Sequence, residues 1–70
     1  MPEPLSIQVN EDRLPWVDGE PIAALLVRIG AEPDQVATAV NGEFVPRPRR
    51  ADTRLQPGDV VTVFKAIVGG

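Results

Sequence analysis

Pro21-Ile22-Ala23-Ala24-Leu25-Leu26-Val27-Arg28-Ile29-Gly30 is the stretch that decides how the chain folds. Ile22, Leu25, Leu26 and Ile29 fall at i, i+3, i+4 and i+7, so on a 3.6-residue helix they form one apolar stripe. Pro21 suits the first helical turn, where its missing N–H has no partner to lose. Gly30 is placed to end the helix in the left-handed conformation. The spacing predicts one short helix of about three turns. A helix with a single apolar stripe needs a surface to cover, and the flanking segments read as strands.

Upstream, Leu5, Ile7 and Val9 alternate with Ser6 and Gln8, which is the period of a strand with one buried face. Asn10-Glu11-Asp12 is turn material. Leu14 and Trp16 then share one side of a second strand, and Pro15 confines it to an edge or an irregular run. These two strands read as a hairpin. Downstream, residues 31–35 are a loop punctuated by Pro33, and residues 36–40 form a third strand. Asn41-Gly42 is a strong two-residue hairpin signal, because both positions tolerate positive φ. Residues 43–45 return as a short fourth strand stopped by Pro46. Residues 47–56 are irregular, with Leu55 their one large apolar residue. Pro57-Gly58-Asp59 is a turn, and residues 60–68 are the last and longest strand. The order β-β-α-β-β-β implies an α+β domain with the helix packed across one face of a sheet.

Seventy residues make one domain, and a chain this short buries only about 60% of its unfolded surface. There is no cysteine and no histidine. Disulfides and thiolate metal sites are therefore excluded, and the commonest general base and metal ligand are missing. Ser6 is the single serine, so no Ser-His or Cys-His nucleophile can be drawn. The composition points away from an enzyme and away from a bound metal or organic cofactor. No run approaches the roughly 20 apolar residues that span a bilayer, and the start of the chain lacks the features of a signal peptide. A cytoplasmic protein with no membrane partner, monomeric when free, is expected. The net charge of −3 argues against nonspecific nucleic-acid binding. That charge is uneven: residues 1–46 carry a net −6 and residues 47–70 a net +3, so the C-terminal third is the electropositive end.

The candidate chemistry lies in the last residues. Ile67 and Val68 close the apolar run, and Gly69 and Gly70 follow. A carboxylate that must reach a catalytic centre in another protein needs a thin stalk, and glycine lets other backbones approach closely. A carboxylate is inert until it is activated, for example as a mixed anhydride with AMP. The chain has no phosphate-binding loop of the G-x-x-x-x-G-K kind. Activation must then come from a separate protein, with this chain as its substrate. Residues 1–66 are read as the folded domain and residues 67–70 as a flexible tail.

Val40-Asn41-Gly42-Glu43, Val45-Pro46-Arg47, Leu55-Gln56-Pro57-Gly58-Asp59 and the run from Phe64 to Gly70 together resemble the ThiS family of thiamine-biosynthesis sulfur carriers. That family lies within the ubiquitin-like β-grasp superfamily. The segment from Gly19 to Leu26 fits as well, so the resemblance covers nearly the whole chain. It implies a β-grasp fold, a mixed sheet of four to five strands with one main helix across one face. It implies adenylation of the Gly70 carboxylate by an E1-like adenylyltransferase (ThiF type), with ATP used in trans. It further implies conversion to a thiocarboxylate by a persulfide sulfur-donor protein, and delivery to a thiazole synthase (ThiG type). A terminal Gly-Gly is shared with carriers for molybdopterin or tRNA thiolation and with ubiquitin-like protein modifiers, which remain the alternatives. Two departures stand out. A threonine often caps the family's helix near Pro21, a task left here to Glu20 or Asp18. An aromatic residue often follows Val-Pro-Arg, where this chain has Pro48-Arg49-Arg50.

Two surface residues are candidate partner contacts. Period two on the last strand sets Val61 and Val63 against the helix and turns Thr62 and Phe64 to the open face of the sheet. An exposed Phe64 close to the tail would anchor a partner. A register slipped by one residue would bury it instead. Arg47 belongs to the Val-Pro-Arg stretch and is read as a contact, whereas Arg49, Arg50 and Arg54 are read as a solvated loop. Trp16, the one tryptophan, is read as packing at the sheet edge.

Overall fold

The computed structural model of the chain describes residues 5–65. Five strands alternate with one helix in the expected order: β1 (Ser6–Val9), β2 (Asp12–Pro15), α1 (Ile22–Arg28), β3 (Val36–Val40), β4 (Glu43–Val45) and β5 (Val60–Lys65). Short 3-10 turns occupy Pro33–Gln35 and Arg47–Arg49, inside the two segments read as irregular. The five strands form one sheet in the order β2-β1-β5-β3-β4. The β1–β5 pair is parallel and the other three pairs are antiparallel. A mixed sheet with one helix across one face is the β-grasp arrangement.

The two hairpins form where the sequence placed them. Asn41 and Gly42 both have positive φ, 52° and 83°, as a two-residue turn between twisted strands requires. The Asn41 side chain also reaches across to β5. Its amide nitrogen donates to Asp59 Oδ1 at 3.1 Å, and its Oδ1 accepts from the Val60 N–H at 2.9 Å. The turn is thereby pinned to the start of β5.

The core lies between the sheet and α1. Ile22, Leu25 and Leu26 from the helix meet Ile7 and Val9 of β1, Val61 of β5, Val45 of β4 and Leu55 of the following loop. Leu14, Trp16, Ile29 and Val63 pack against this cluster half-buried. The Trp16 indole N–H donates to the Leu55 carbonyl at 2.8 Å, which fixes Trp16 as a packing residue at the sheet edge. Leu5, read on the buried face of the first strand, is exposed; it lies one residue before β1 begins, where its carbonyl accepts from the Trp16 N–H at 2.9 Å.

The helix differs from expectation in its length and at its N-terminus. It runs about two turns rather than three. Its C-terminus closes with the Gly30 N–H on the Val27 carbonyl and the Ala31 N–H on the Leu26 carbonyl, the paired bonds of a Schellman motif. Gly30 has φ 75°, the left-handed value expected of it. At the N-terminus neither Glu20 nor Asp18 caps; Pro21 is the cap residue and makes no side-chain bond. Backbone carbonyls of the 47–56 loop serve instead, Thr53 accepting from the Ile22 N–H at 2.9 Å and Arg50 from the Ala23 N–H at 3.2 Å. A tertiary contact supplies what a side-chain cap supplies elsewhere. Among the described residues, no helix is long and apolar enough to cross a membrane.

Candidate functional site

β5 is the middle strand, so the segment leading to the C-terminus sits in the centre of the sheet. Its alternation is as read. Val61 is fully buried and Val63 half-buried, while Thr62 and Phe64 face outward. Phe64 is 47% exposed and pairs across β3 with Ala37. The register is therefore the expected one, and the slipped alternative is ruled out.

The open face also carries an aromatic residue that the sequence reading passed over. Phe44 pairs with Ala39 on the far side of β3 and is 61% exposed. Ala37 and Ala39 thus lie between two phenylalanines as a low apolar floor. The signal was present in β4: Val45 is buried, so period two sends Phe44 to the opposite face. An exposed patch with two aromatic rings on a small domain is a candidate recognition surface.

Arg47 stands apart from this patch. Its side chain is mostly exposed and pairs with the exposed Asp34 at 3.2 Å. Asp34 lies two residues before β3 begins, so Arg47 flanks the end of the sheet at which β5 reaches Lys65. An ion pair this exposed contributes little stability and leaves Arg47 accessible to a partner.

Arg50 overturns its reading as part of a solvated loop. It is only 5% exposed. Its guanidinium donates to the carbonyls of Val36 at 2.6 Å and Pro33 at 2.9 Å, and its Nε to Thr38 Oγ1 at 3.3 Å. Thr38, itself buried, donates to the Val45 carbonyl at 3.1 Å. Burial lowers the Arg50 pKa from its ordinary value, Arg47 pushes the same way and Asp34 opposes. Among the described residues no carboxylate hydrogen-bonds to it; two backbone carbonyls and the Thr38 hydroxyl take its donors, and a planar fork suits three acceptors at once. Nothing in the local sequence distinguishes Arg50 from Arg49, which is exposed.

Ile67, Val68, Gly69 and Gly70 lie outside the described residues, as do the last part of the expected strand and the boundary drawn between residues 66 and 67. What the structure offers is their approach: a central strand, an aromatic open face beside it, and a basic side chain at the same end of the sheet.

Comparison with known proteins agrees with this architecture. The ThiS family model matches residues 3–70. The chain is 29% identical over 66 residues to the sulfur carrier protein ThiS of Escherichia coli (strain K12), covering 94% of this chain and 100% of that one. The crystal structure of the thiamine biosynthesis protein ThiS from Geobacter metallireducens superimposes with a TM-score of 0.76 at 27% identity, again over 94% of this chain and 100% of the other. With the family match spanning all the described elements, the chain belongs to the ThiS family.

Proposed function

We propose that this protein is a sulfur carrier for formation of the thiazole ring of thiamine, and that the Gly70 carboxylate is its working group. The observation that carries the reading is the extent of the family match, which runs from residue 3 through Gly70 and so includes the terminal glycine pair. The chemistry agrees with it. Without cysteine, and with Met1 its one sulfur atom, the chain has no side chain that could hold transferable sulfur. The carboxyl carbon is the remaining place.

The cycle then follows from the reactivity of a carboxylate. Gly70 attacks the α-phosphorus of ATP on a separate E1-like adenylyltransferase, forming an acyl adenylate and releasing pyrophosphate. A persulfide on a donor protein attacks the acyl carbon and AMP leaves. A thiol opens the resulting acyl disulfide, and the sulfur stays on Gly70 as a thiocarboxylate. A thiazole synthase takes the sulfur from there. The carrier contributes no acid, base or nucleotide site to these steps; it contributes a slim reactive end and a surface by which two enzymes recognise it. Phe64, joined by Phe44, and Arg47 are the residues assigned to that surface.

Intact-mass spectrometry after incubation with ATP, the adenylyltransferase and the sulfur donor tests the reading. The expected product is heavier by the difference between one sulfur and one oxygen atom. Deletion of Gly70 is expected to abolish it. Attachment of the protein to lysines of other proteins in place of this mass change would move the chain to the protein modifiers.

A further inference from the structure

The end of β5 is held from one side. The parallel pairing with β1 covers only Gln8↔Val60 and Val9↔Val61. One further bond follows on that side, from the Val63 N–H to Asn10 Oδ1 at 2.8 Å. Beyond it, among the described residues, Phe64 and Lys65 pair only with Ala37 and Val36 of β3. The placement of the last described residues therefore depends on the first residues of β3.

On their other side, among the described residues, no strand pairs with them. β4 pairs with β3 only from Val40 to Thr38, where it ends at Val45 and Pro46 follows. Antiparallel ladders alternate, and the Asn41 N–H bonded to the Val60 carbonyl sets the phase. In that phase Ala37 bonds toward β5, and the Val36 carbonyl points to the side where β4 has already stopped. The Arg50 guanidinium fills that gap. It bonds the Val36 carbonyl, reaches on to Pro33, and touches Thr38, the last residue of β3 that β4 covers. Its own backbone is fixed in turn, the Arg50 N–H to the Arg47 carbonyl and the Arg50 carbonyl to the Ala23 N–H of the helix.

We propose that Arg50 is a positioning residue that stands in for the missing end of β4, holds the start of β3, and thereby sets the place from which β5 hands the chain on toward Gly70. The consequence for turnover rests on the sulfur-carrier reading above; the effect on β5 does not. Loosening Arg50 leaves Phe44 and Arg47 of the exposed surface in place, but it loosens Phe64 together with the point of departure of the reactive end. Productive placement in the adenylating site then becomes rarer, while recognition through Phe44 and Arg47 persists.

The test compares wild type with Arg50→Lys, which keeps the charge but cannot span three acceptors, and with Arg50→Met, which removes every donor. Amide hydrogen exchange followed by NMR reads the first claim. In Arg50→Lys the Ala37 and Phe64 amides are expected to exchange about tenfold faster, as for loss of one or two hydrogen bonds, with the Gln8 and Asn10 amides on the β1 side within about twofold. Arg50→Met is expected to give the same pattern, more strongly; if that variant does not fold, Arg50→Lys decides alone. Steady-state adenylation reads the second claim: kcat for Arg50→Lys is expected to fall about tenfold, with a smaller rise in KM for the carrier, because Phe44 and Arg47 stay in place while Phe64 loosens. Unchanged Ala37 and Phe64 amides, or equal acceleration across the whole sheet, would overturn the inference. A rise in KM at constant kcat would also overturn it, by making Arg50 a matter of recognition. If wild-type carrier is itself not adenylated, the functional reading fails, and the exchange pattern still decides whether Arg50 holds the end of β5.

Discussion

At its start β5 is gripped from both sides. Val60 and Val61 pair with β1, the Asn41 side chain accepts from the Val60 N–H, and Val61 is sealed under the helix. At its end, four residues later, Phe64 and Lys65 lean, among the described residues, on β3 alone, with Phe64 facing out. The strand thus runs from a fully embedded end to a half-held one within a single element. This gradient suits the proposed carrier role. The embedded end anchors the domain, and a half-held end would let another protein take up the following residues without disturbing the core.

Breaking the embedded end should cost most. Val61→Ala removes two buried carbons from the centre of the core and is expected to destabilise by about 2–3 kcal/mol, read as a lower urea midpoint at constant slope. For a domain this small that is a large share of its stability, about 4–10 kcal/mol at ordinary per-residue values.

The boundary between the two ends is Asn10, whose Oδ1 accepts from the Val63 N–H and whose φ is 55°. Asn10→Gly keeps the backbone conformation and loses the acceptor. It should cost about 1 kcal/mol and speed exchange of the Val63 amide. Asn10→Ala adds the left-handed strain and should cost more than Asn10→Gly. Equal effects of the two substitutions would mean that backbone strain contributes nothing at this turn.

Phe64→Ala probes the half-held end. With the ring half in solvent, the stability loss should stay near 1 kcal/mol, against about 3–5 for a buried phenylalanine. Its effect should appear in a raised KM for the adenylyltransferase, with Phe44→Ala acting in the same direction. A KM untouched by both substitutions would remove the open face from the recognition surface. The smallest change is expected of Arg47→Ala. Loss of the exposed pair with Asp34 should move stability by no more than about 0.5 kcal/mol, and any larger consequence should be in partner binding and should fade with salt.

Much of this was legible along the chain. The stripe of Ile22, Leu25, Leu26 and Ile29, the Asn41-Gly42 turn and the outward face of Phe64 follow from periods of 3.6 and 2 and from the tolerance of two residue types for positive φ. Phe44 was equally legible and was missed, because in a three-residue strand the alternation rests on one buried neighbour. Arg50 was not legible. Its tripeptide neighbours are arginine and proline, and an arginine in such a run is ordinarily solvated. The helix cap was read as a side-chain problem, and carbonyls from residues about 30 positions later solved it.

The order of elements, the register of β5 and the terminal glycine pair were determined by the sequence alone, since each is a local property of side-chain period, turn chemistry or composition. The central place of β5, the shortfall of β4 against β3 and the burial of Arg50 were decided only by the tertiary structure. They depend on which strands lie side by side and where each one stops. Unpaired backbone groups exist only after the sheet is assembled, and the side chain that satisfies them is whichever one the assembled fold brings within reach.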